Sequence, residues 1–371
     1  MSVVHFDVAV FGGATAGSAI AAAAAGTGLR TVIISRAGDS CDRPGECLSP
    51  AARPLLGRLG VWDRFVEDRH LACHANISVW GGDEPYVHSF VGELYGHAWH
   101  LDRSRFEHML RDHARSRGVD VREFRSDLGV RRLTDGWIVR TRDRVGGCGD
   151  MRARWLIDAT GRASWLARRL GARRRRHDRQ VSFVAFLEPT ASPIDDSTTL
   201  VEAVEDGWWY SALLPDGRLV VSLTTDLDLL PRDRDGAGWL GLLDAAPHTR
   251  ARVRSGDYRI VDPPAVVDAS DGRLDVPAGD GWLAVGDAAM TYDPLAAHGL
   301  TAALAGALDA AECLAARGTS SAVERYRKRL DAAYRAYRRA RAEILATESR
   351  WPGSPFWVRR RGSAGQEARS A

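Results

Sequence analysis

The chain has almost no lysine. Of its 51 basic residues, Lys328 is the single lysine and all the others are arginine. Arginine is a poor substitute for a reactive amine, because its guanidinium stays protonated. Cysteine is sparse as well. The five (Cys41, Cys47, Cys73, Cys148, Cys313) are odd in number and lack metal-ligand spacing, which fits a reduced, cytoplasmic setting and no metal site. Cys47 is read as a plain reduced side chain. No apolar run is long enough to span a membrane. The Ala-rich stretch 296–316 carries His298, Asp309 and Glu312 and reads as a buried helix of a non-membrane protein. No secretory leader is expected before the first strand. Basic and acidic residues nearly balance, 51 against 48, for a net charge of +3. That excess is too slight to imply nucleic acid. The one dense basic run, Arg173-Arg174-Arg175-Arg176, reads as a solvated surface turn. No internal repeat and no second glycine-rich loop occur.

What the chain does carry opens at its start. The strand Phe6-Asp7-Val8-Ala9-Val10-Phe11 runs into Gly12-Gly13-Ala14-Thr15-Ala16-Gly17. An Ala-rich helix, Ser18 to Ala25, follows and stops at Gly26-Thr27-Gly28, before the strand Thr31-Val32-Ile33-Ile34. This is the β-α-β setting that a dinucleotide-type turn needs. Gly12 allows the tight turn and Gly17 lets helix and strand pack closely. Ala14 stands where a second glycine is usual but still permits a pyrophosphate to approach. The acid expected after the second strand is replaced by Ser35, with Arg36 next; serine can hold a ribose hydroxyl more weakly than a carboxylate.

More than 260 residues later comes Gly281-Trp282-Leu283-Ala284-Val285-Gly286-Asp287-Ala288-Ala289, then Asp293-Pro294 and Gly299. An apolar strand ends in a Gly-Asp turn, and a second turn feeds a long helix. Asp287 could meet a ribityl hydroxyl, and the amides opening the helix could face an electron-rich ring edge.

Between these ends the pattern changes twice. Residues 1–71 form the first nucleotide-binding part, with a linker at 38–50 and helical spacing over 51–65. Residues 72–100 are inserted strands and loops rich in aromatics. Residues 101–175 are a second nucleotide-binding part: a helix over 104–117, a strand over 119–124, a hairpin at Asp135-Gly136, and a strand entering Asp158-Ala159-Thr160-Gly161-Arg162. Residues 176–275 alternate as strands 181–187, 199–204, 207–214 and 218–225, a mainly antiparallel substrate domain. Residues 276–350 bring the Gly-Asp turn and two closing helices, 300–316 and 322–347. Residues 351–371 read as a tail, disordered from 362 onward.

Taken in order, the Gly12 loop, Arg43-Pro44-Gly45-Glu46, the 158–162 motif and Gly286-Asp287 with Asp293-Pro294 resemble one FAD-binding framework. It is shared by para-hydroxybenzoate hydroxylase, geranylgeranyl reductases and tryptophan halogenases, and the resemblance covers about residues 4–350. The segment 45–56 and the strand Gly207-Trp208-Trp209-Tyr210 look most like a halogenase-related subgroup. That subgroup includes monooxygenases that hydroxylate a tryptophan of a partner protein during cysteine-tryptophylquinone formation. The resemblance implies an α/β fold: a Rossmann-like FAD-binding domain, an inserted antiparallel-sheet substrate domain and C-terminal helices. It implies FAD held by Gly12, Gly13, Ala14, Ala16 and Gly17 at the pyrophosphate, and by Ser35 and Arg36 near the adenosine. Arg43, Glu46 and Arg103 would lie along the cofactor path, and Asp158 and Gly161 beside it. Gly286 and Asp287 would meet the ribityl chain, with Pro294, Ala297, His298 and Gly299 bordering the isoalloxazine. His298 departs from the small residues usual there, and its bland reading is a satisfied polar cap.

The chemistry so implied is aromatic hydroxylation through a flavin C4a-hydroperoxide. The substrate would be indole- or phenol-like, as a small molecule or within a polypeptide. Candidate bases are His97, His100, Tyr210 and His298. Trp208 and Tyr210 share a strand face, and with Trp209 and Trp99 are candidate aromatic-substrate contacts. Electrons would come from NAD(P)H directly or through a flavin reductase as partner. Halogenation is disfavoured, because it uses a lysine after the Gly-Glu loop and a Trp-x-Trp-x-Ile-Pro motif, and neither is present. A C–C bond reductase like the geranylgeranyl reductases, or a non-catalytic binding module, remain as alternatives.

Overall fold

The computed structural model describes residues 3–36, 44–124, 126–142, 148–231 and 235–367. Two sheets organise them. In the first, five parallel strands lie in the order Trp282–Ala284, Cys148–Asp158, Val4–Phe11, Thr31–Arg36 and Asp120–Phe124. Val8, Ala9, Val10, Val32 and Ile33 are fully buried. Such strands are covered on both faces, which is why they read as unbroken apolar runs rather than alternating ones. The helix Thr15–Gly26 packs on this sheet together with the late helix Gly299–Ala315.

Register settles where function can sit. Phe11 pairs with Asp158, and Asp158 with Ala284. The three motifs, far apart in sequence, therefore emerge side by side from the carboxyl edge of adjacent parallel strands. Ligands of open α/β sheets bind at that edge.

The second sheet runs Tyr258–Ile260, Gln180–Pro189, Leu219–Asp226, Gly207–Leu213, Thr199–Val204, Ala75–Val79 and Tyr86–Ser89. It is antiparallel except where Thr199–Val204 runs parallel to Ala75–Val79. Only 75–89 of the expected 72–100 insertion joins this sheet. Leu71–Cys73 and Ala98–His100 instead form a small sheet with Cys47–Leu48, tying the insertion to the first nucleotide-binding part.

Alternation sorts the second sheet's side chains. The back face carries Phe183, Leu187, Trp209 and Val221 into a separate core with Trp239 and Tyr258. Two helices, Gly236–Leu242 and Pro247–Ser255, cover that face; the sequence reading passed over both. The front face carries Val184, Ala212, Val220, Trp208 and Tyr210.

Two further expectations are corrected. The helix expected over 51–65 is two helices, Ala52–Leu59 and Trp62–Glu67, because Gly60 caps the first in a left-handed conformation with φ +75°. The supposed tail holds a helix, Pro355–Glu367, with Phe356 and Trp357 buried against Trp208. Arg360 anchors it through Gln180 and Asp226. Among the described residues, no helix is long and apolar enough to cross a membrane, and no cluster of three or more His, Cys, Asp or Glu could hold a metal.

Candidate active site

The amino-terminal turn leaves room for nothing larger than glycine at two points. A Cβ on Gly12 would lie 2.3 Å from the Ala159 carbonyl oxygen, and Gly12 has φ +102°. A Cβ on Gly17 would lie 1.9 Å from the Gly12 oxygen. Ala14, at the cap of the first helix, offers no side chain to its amides, so these orphan donors remain open for an anion. The Thr15 hydroxyl is buried with no partner. Ser18 Oγ donates to Gly13 O at 2.8 Å and steadies the turn.

A cleft of about 550 Å³ opens beside it, lined by Gly12, Gly13, Ala14, Ser35, Arg36 and Gly161. Arg111, Trp165 and Arg169 complete its wall, and sequence reasoning missed all three. Arg111 reaches the turn by donating to Gly13 O from Nη2 at 3.1 Å. It lies on the 103–116 helix, so no local motif could reveal it. Ala16 faces inward: a Cβ on Gly286 would meet its Cβ at 2.8 Å. Asp158 is buried, and its carboxylate is consumed by the chain. Oδ1 accepts from the Thr160 amide and hydroxyl, and Oδ2 from the Ala167 amide at 2.7 Å. Burial pushes its pKa up despite those bonds. Asp158 shapes the 158–167 turn. Arg43 lies outside the described residues.

At the late turn, Gly286 adopts φ +56° and Asp287 is half-exposed, 3.8 Å from Arg162 Nε. Arg174 secures the turn from below, donating to Asp287 O at 2.9 Å and to Ser164 Oγ and Thr291 Oγ1 at 2.8 Å. Arg174 is therefore no solvated turn residue. The run holding it forms a short strand paired with 272–274. Arg103 bonds the Gly45 carbonyl and Glu107, and its Nε is buried without a partner.

The next turn is held by the long helix Ser320–Thr347. Arg341 Nε donates to Asp293 Oδ2 at 2.7 Å, and the Asp293 amide donates to Tyr337 at 2.7 Å. Pro294 opens one helical turn, and Ala297 closes it at φ +47°, a strained conformation for a residue with a Cβ. Gly299 then opens the late helix. His298 stands at its cap, yet its side chain caps nothing and is exposed. The bland reading of His298 as a satisfied cap is thus corrected.

The remaining candidates separate sharply. Tyr210 donates to Glu46 Oε1 at 2.5 Å, and Glu46 Oε2 accepts from the Gly45 amide at 2.8 Å. The Glu46 carboxylate thus reaches the substrate sheet. Desolvation, then Glu46, pushes the Tyr210 phenol well above its ordinary pKa. Trp208 is buried on the front face, and its indole N–H has no acceptor among the described residues. Trp209 faces the other way, 5.2 Å from Trp239, and cannot share a substrate with Trp208. Trp99 packs against Phe65 and Trp62 in the first core. His97 packs edge-on against His74 and tilted against Trp99, each 4.8 Å away.

His100 is fully buried, with Nδ1 2.9 Å from Leu213 O and Nε2 2.8 Å from Thr199 Oγ1. It has no free nitrogen for a substrate. Burial lowers its pKa from 6.5 to about 4. The unfolded chain therefore takes up a proton that the folded one refuses, so this stability is complete above pH 6.5 and is lost as pH falls toward 4. Urea unfolding at pH 7.5 and 4.5 should show wild type losing about 2–3 kcal/mol more than His100→Gln across that interval.

The glycine cradle, the open helix amides, the orphan Thr15 hydroxyl and the half-exposed Asp287 fit an FAD laid across the carboxyl edge of the sheet. Gly12, Gly13 and Gly17 would take its pyrophosphate, and Asp287 its ribityl chain. The site thus defines a flavoprotein.

The chain belongs to the FAD binding domain family, which matches residues 5–220. Over 359 residues it is 27% identical to the FAD-dependent oxidoreductase LodB of Marinomonas mediterranea, covering 96% of each chain. Its fold is that of the myxobacterial chondrochloren halogenase CndH, with TM-score 0.86, 24% identity and coverage of 99% of this chain and 89% of that one. The peptidyl tryptophan dihydroxylase QhpG has TM-score 0.76 and 25% identity, over 96% and 79% of the two chains. The protein is an FAD-dependent oxidoreductase of the halogenase and hydroxylase family.

Proposed function

We propose that this protein is a monooxygenase that hydroxylates an electron-rich aromatic group, indole- or phenol-like, free or within a polypeptide. One observation carries the choice between hydroxylation and halogenation. The chain's only lysine, Lys328, lies on the outer side of the long C-terminal helix, with its side chain 77% exposed and 4.0 Å from Glu324. No other lysine occurs in the sequence to relay a halogen. The likeness to QhpG, whose name specifies peptidyl tryptophan, supports an indole within a polypeptide as substrate.

Bound FAD, once reduced, supplies the two-electron chemistry with oxygen. The chain's own residues do the rest. The glycine turn would hold the pyrophosphate of the cofactor, and Asp287 the ribityl chain next to it. The opening amides of the late helix would favour negative charge on a flavin ring placed against them. Val184, Ala212 and Val220 keep the front face of the sheet apolar and exclude water. Trp208 and Tyr210 border the substrate on that face, and His298 stands uncapped at the helix start, free to meet the cofactor or the substrate. Electrons arrive from NAD(P)H directly or through a partner reductase.

The test is to reduce the yellow protein, admit oxygen with a panel of indoles, phenols and tryptophan-containing peptides, and weigh the products. One added oxygen atom is expected. A halogen incorporated when chloride or bromide is present would defeat the proposal, and so would a gain or loss of two hydrogens without oxygen.

A further inference from the structure

The carboxylate of Glu46 is a buried titratable group that faces the substrate sheet. It is 3% exposed. Its backbone is fixed on both sides, since the Leu101 amide donates to Glu46 O at 2.9 Å and the next two residues pair with Ala98–His100. The loop thus presents one carboxylate from the cofactor domain to one phenol of the substrate sheet, at 2.5 Å. Tyr210 stands on the front face beside Trp208 and Ala212, where an aromatic substrate would lie. Glu46 also lines a second cavity of about 200 Å³, walled by Phe186 and Leu214 of the same front face and rimmed by Asp102, Arg103, Ser104, Asp216 and Arg218. Ser104 and Asp216 are exposed, so this polar-rimmed cavity joins Glu46 to water.

We propose that Tyr210 and Glu46 form a proton relay out of the active site. The inference rests on the hydroxylation proposed above. When oxygen joins an aromatic carbon, that carbon loses its hydrogen as a proton and the ring regains its aromaticity. Tyr210 Oη takes the proton as its own O–H bond breaks toward Glu46 Oε1. Glu46 then releases a proton to water through the polar-rimmed cavity. One proton enters and one leaves, and no electrons move. The high pKa of the phenol means that Tyr210 cannot wait as a phenolate, so the carboxylate behind it is needed. The other titratable groups facing the pair stay fixed. Burial pushes Cys47 up to about 12 and Cys73 upward also, which leaves both thiols neutral. Arg252 and Arg103 are cations.

Glu46→Gln removes the proton acceptor but keeps an amide oxygen for the Tyr210 hydrogen bond, at the cost of the bond from the Gly45 amide. Tyr210→Phe keeps the ring and removes the relay. Both would be made in the FAD-loaded full chain and followed in single turnovers with an aromatic that wild type oxygenates. Each should form product about a hundredfold more slowly, with FAD content unchanged. The wild-type pH profile of the rate should change in Glu46→Gln, and Glu46→Asp should restore it in part. Wild-type rates and an unaltered pH profile in Glu46→Gln would overturn the relay while leaving hydroxylation standing. If Glu46→Gln loses its flavin, Tyr210→Phe decides alone, and a wild-type rate there overturns the relay. Absence of oxygenated product from wild type itself overturns both.

Discussion

Gly17→Ala should purify colourless. The added Cβ would sit 1.9 Å from the Gly12 carbonyl oxygen and 2.9 Å from its carbon. Both are backbone atoms, so no side chain can swing aside to relieve the clash. The turn between the first strand and the first helix must open, and the helix amides that would hold the pyrophosphate move with it. Overpacking of this kind costs about 1–3 kcal/mol, and more where backbone is the obstacle. Affinity for FAD should suffer more than the fold, because the sheet beneath the turn is fully buried and stays so. The ratio of flavin to protein absorbance after purification, with FAD titration by fluorescence, measures it. Gly26→Ala is the control. Nothing lies within 4 Å of its added Cβ, and in the last turn of a helix alanine should stabilise by about 0.5–1 kcal/mol. A Gly17→Ala protein that keeps full flavin would remove the amino-terminal turn from the cofactor site.

Trp357→Ala should cost about 3–5 kcal/mol of stability, the range for emptying a buried tryptophan site. Trp357 is 1% exposed. Its ring meets Phe356 at 5.0 Å, Trp80 at 5.4 Å and Trp351 at 6.3 Å, and its Nε1 donates to Val204 O at 3.0 Å. Truncation therefore leaves a cavity and an unmet carbonyl together. The same cluster holds Trp208 and Leu295, next to the Pro294 turn, so loosening the terminal helix should reach the active site too. The urea midpoint should fall with little change in slope, and uncoupled peroxide release should rise. Val358→Ala, at a position 49% exposed on the same helix, should stay within about 0.5 kcal/mol of wild type. Equal stability of the two variants would make the terminal helix an ornament of the fold.

Legibility from sequence followed the range of the interactions. The glycine turn, the 158–162 motif and the Gly-Asp turn could be read because each is set by a few neighbouring residues and a backbone geometry with few solutions. Strand alternation likewise separated Trp208 and Tyr210 from Trp209. It could not say which face met the active site, since helices at 236–255 cover one face and carry little sequence pattern. Arg111, Arg174 and Arg341 act on turns 98, 113 and 48 residues away. In a chain with so many arginines, composition cannot mark those three. Glu46 was assigned to the cofactor because its loop motif belongs there; its rotamer points to a tyrosine 164 residues later.

By itself the sequence determined the β-α-β unit, the two glycine positions that no larger side chain can fill, the alternating sheet and the shortage of amines. These follow from local sterics, periodicity and composition, which act within a few residues. Tertiary structure alone brought Phe11, Asp158 and Ala284 to one edge, seated the terminal helix on Trp208 and joined Glu46 to Tyr210. Those contacts depend on strand order and register, and no short segment of chain contains either.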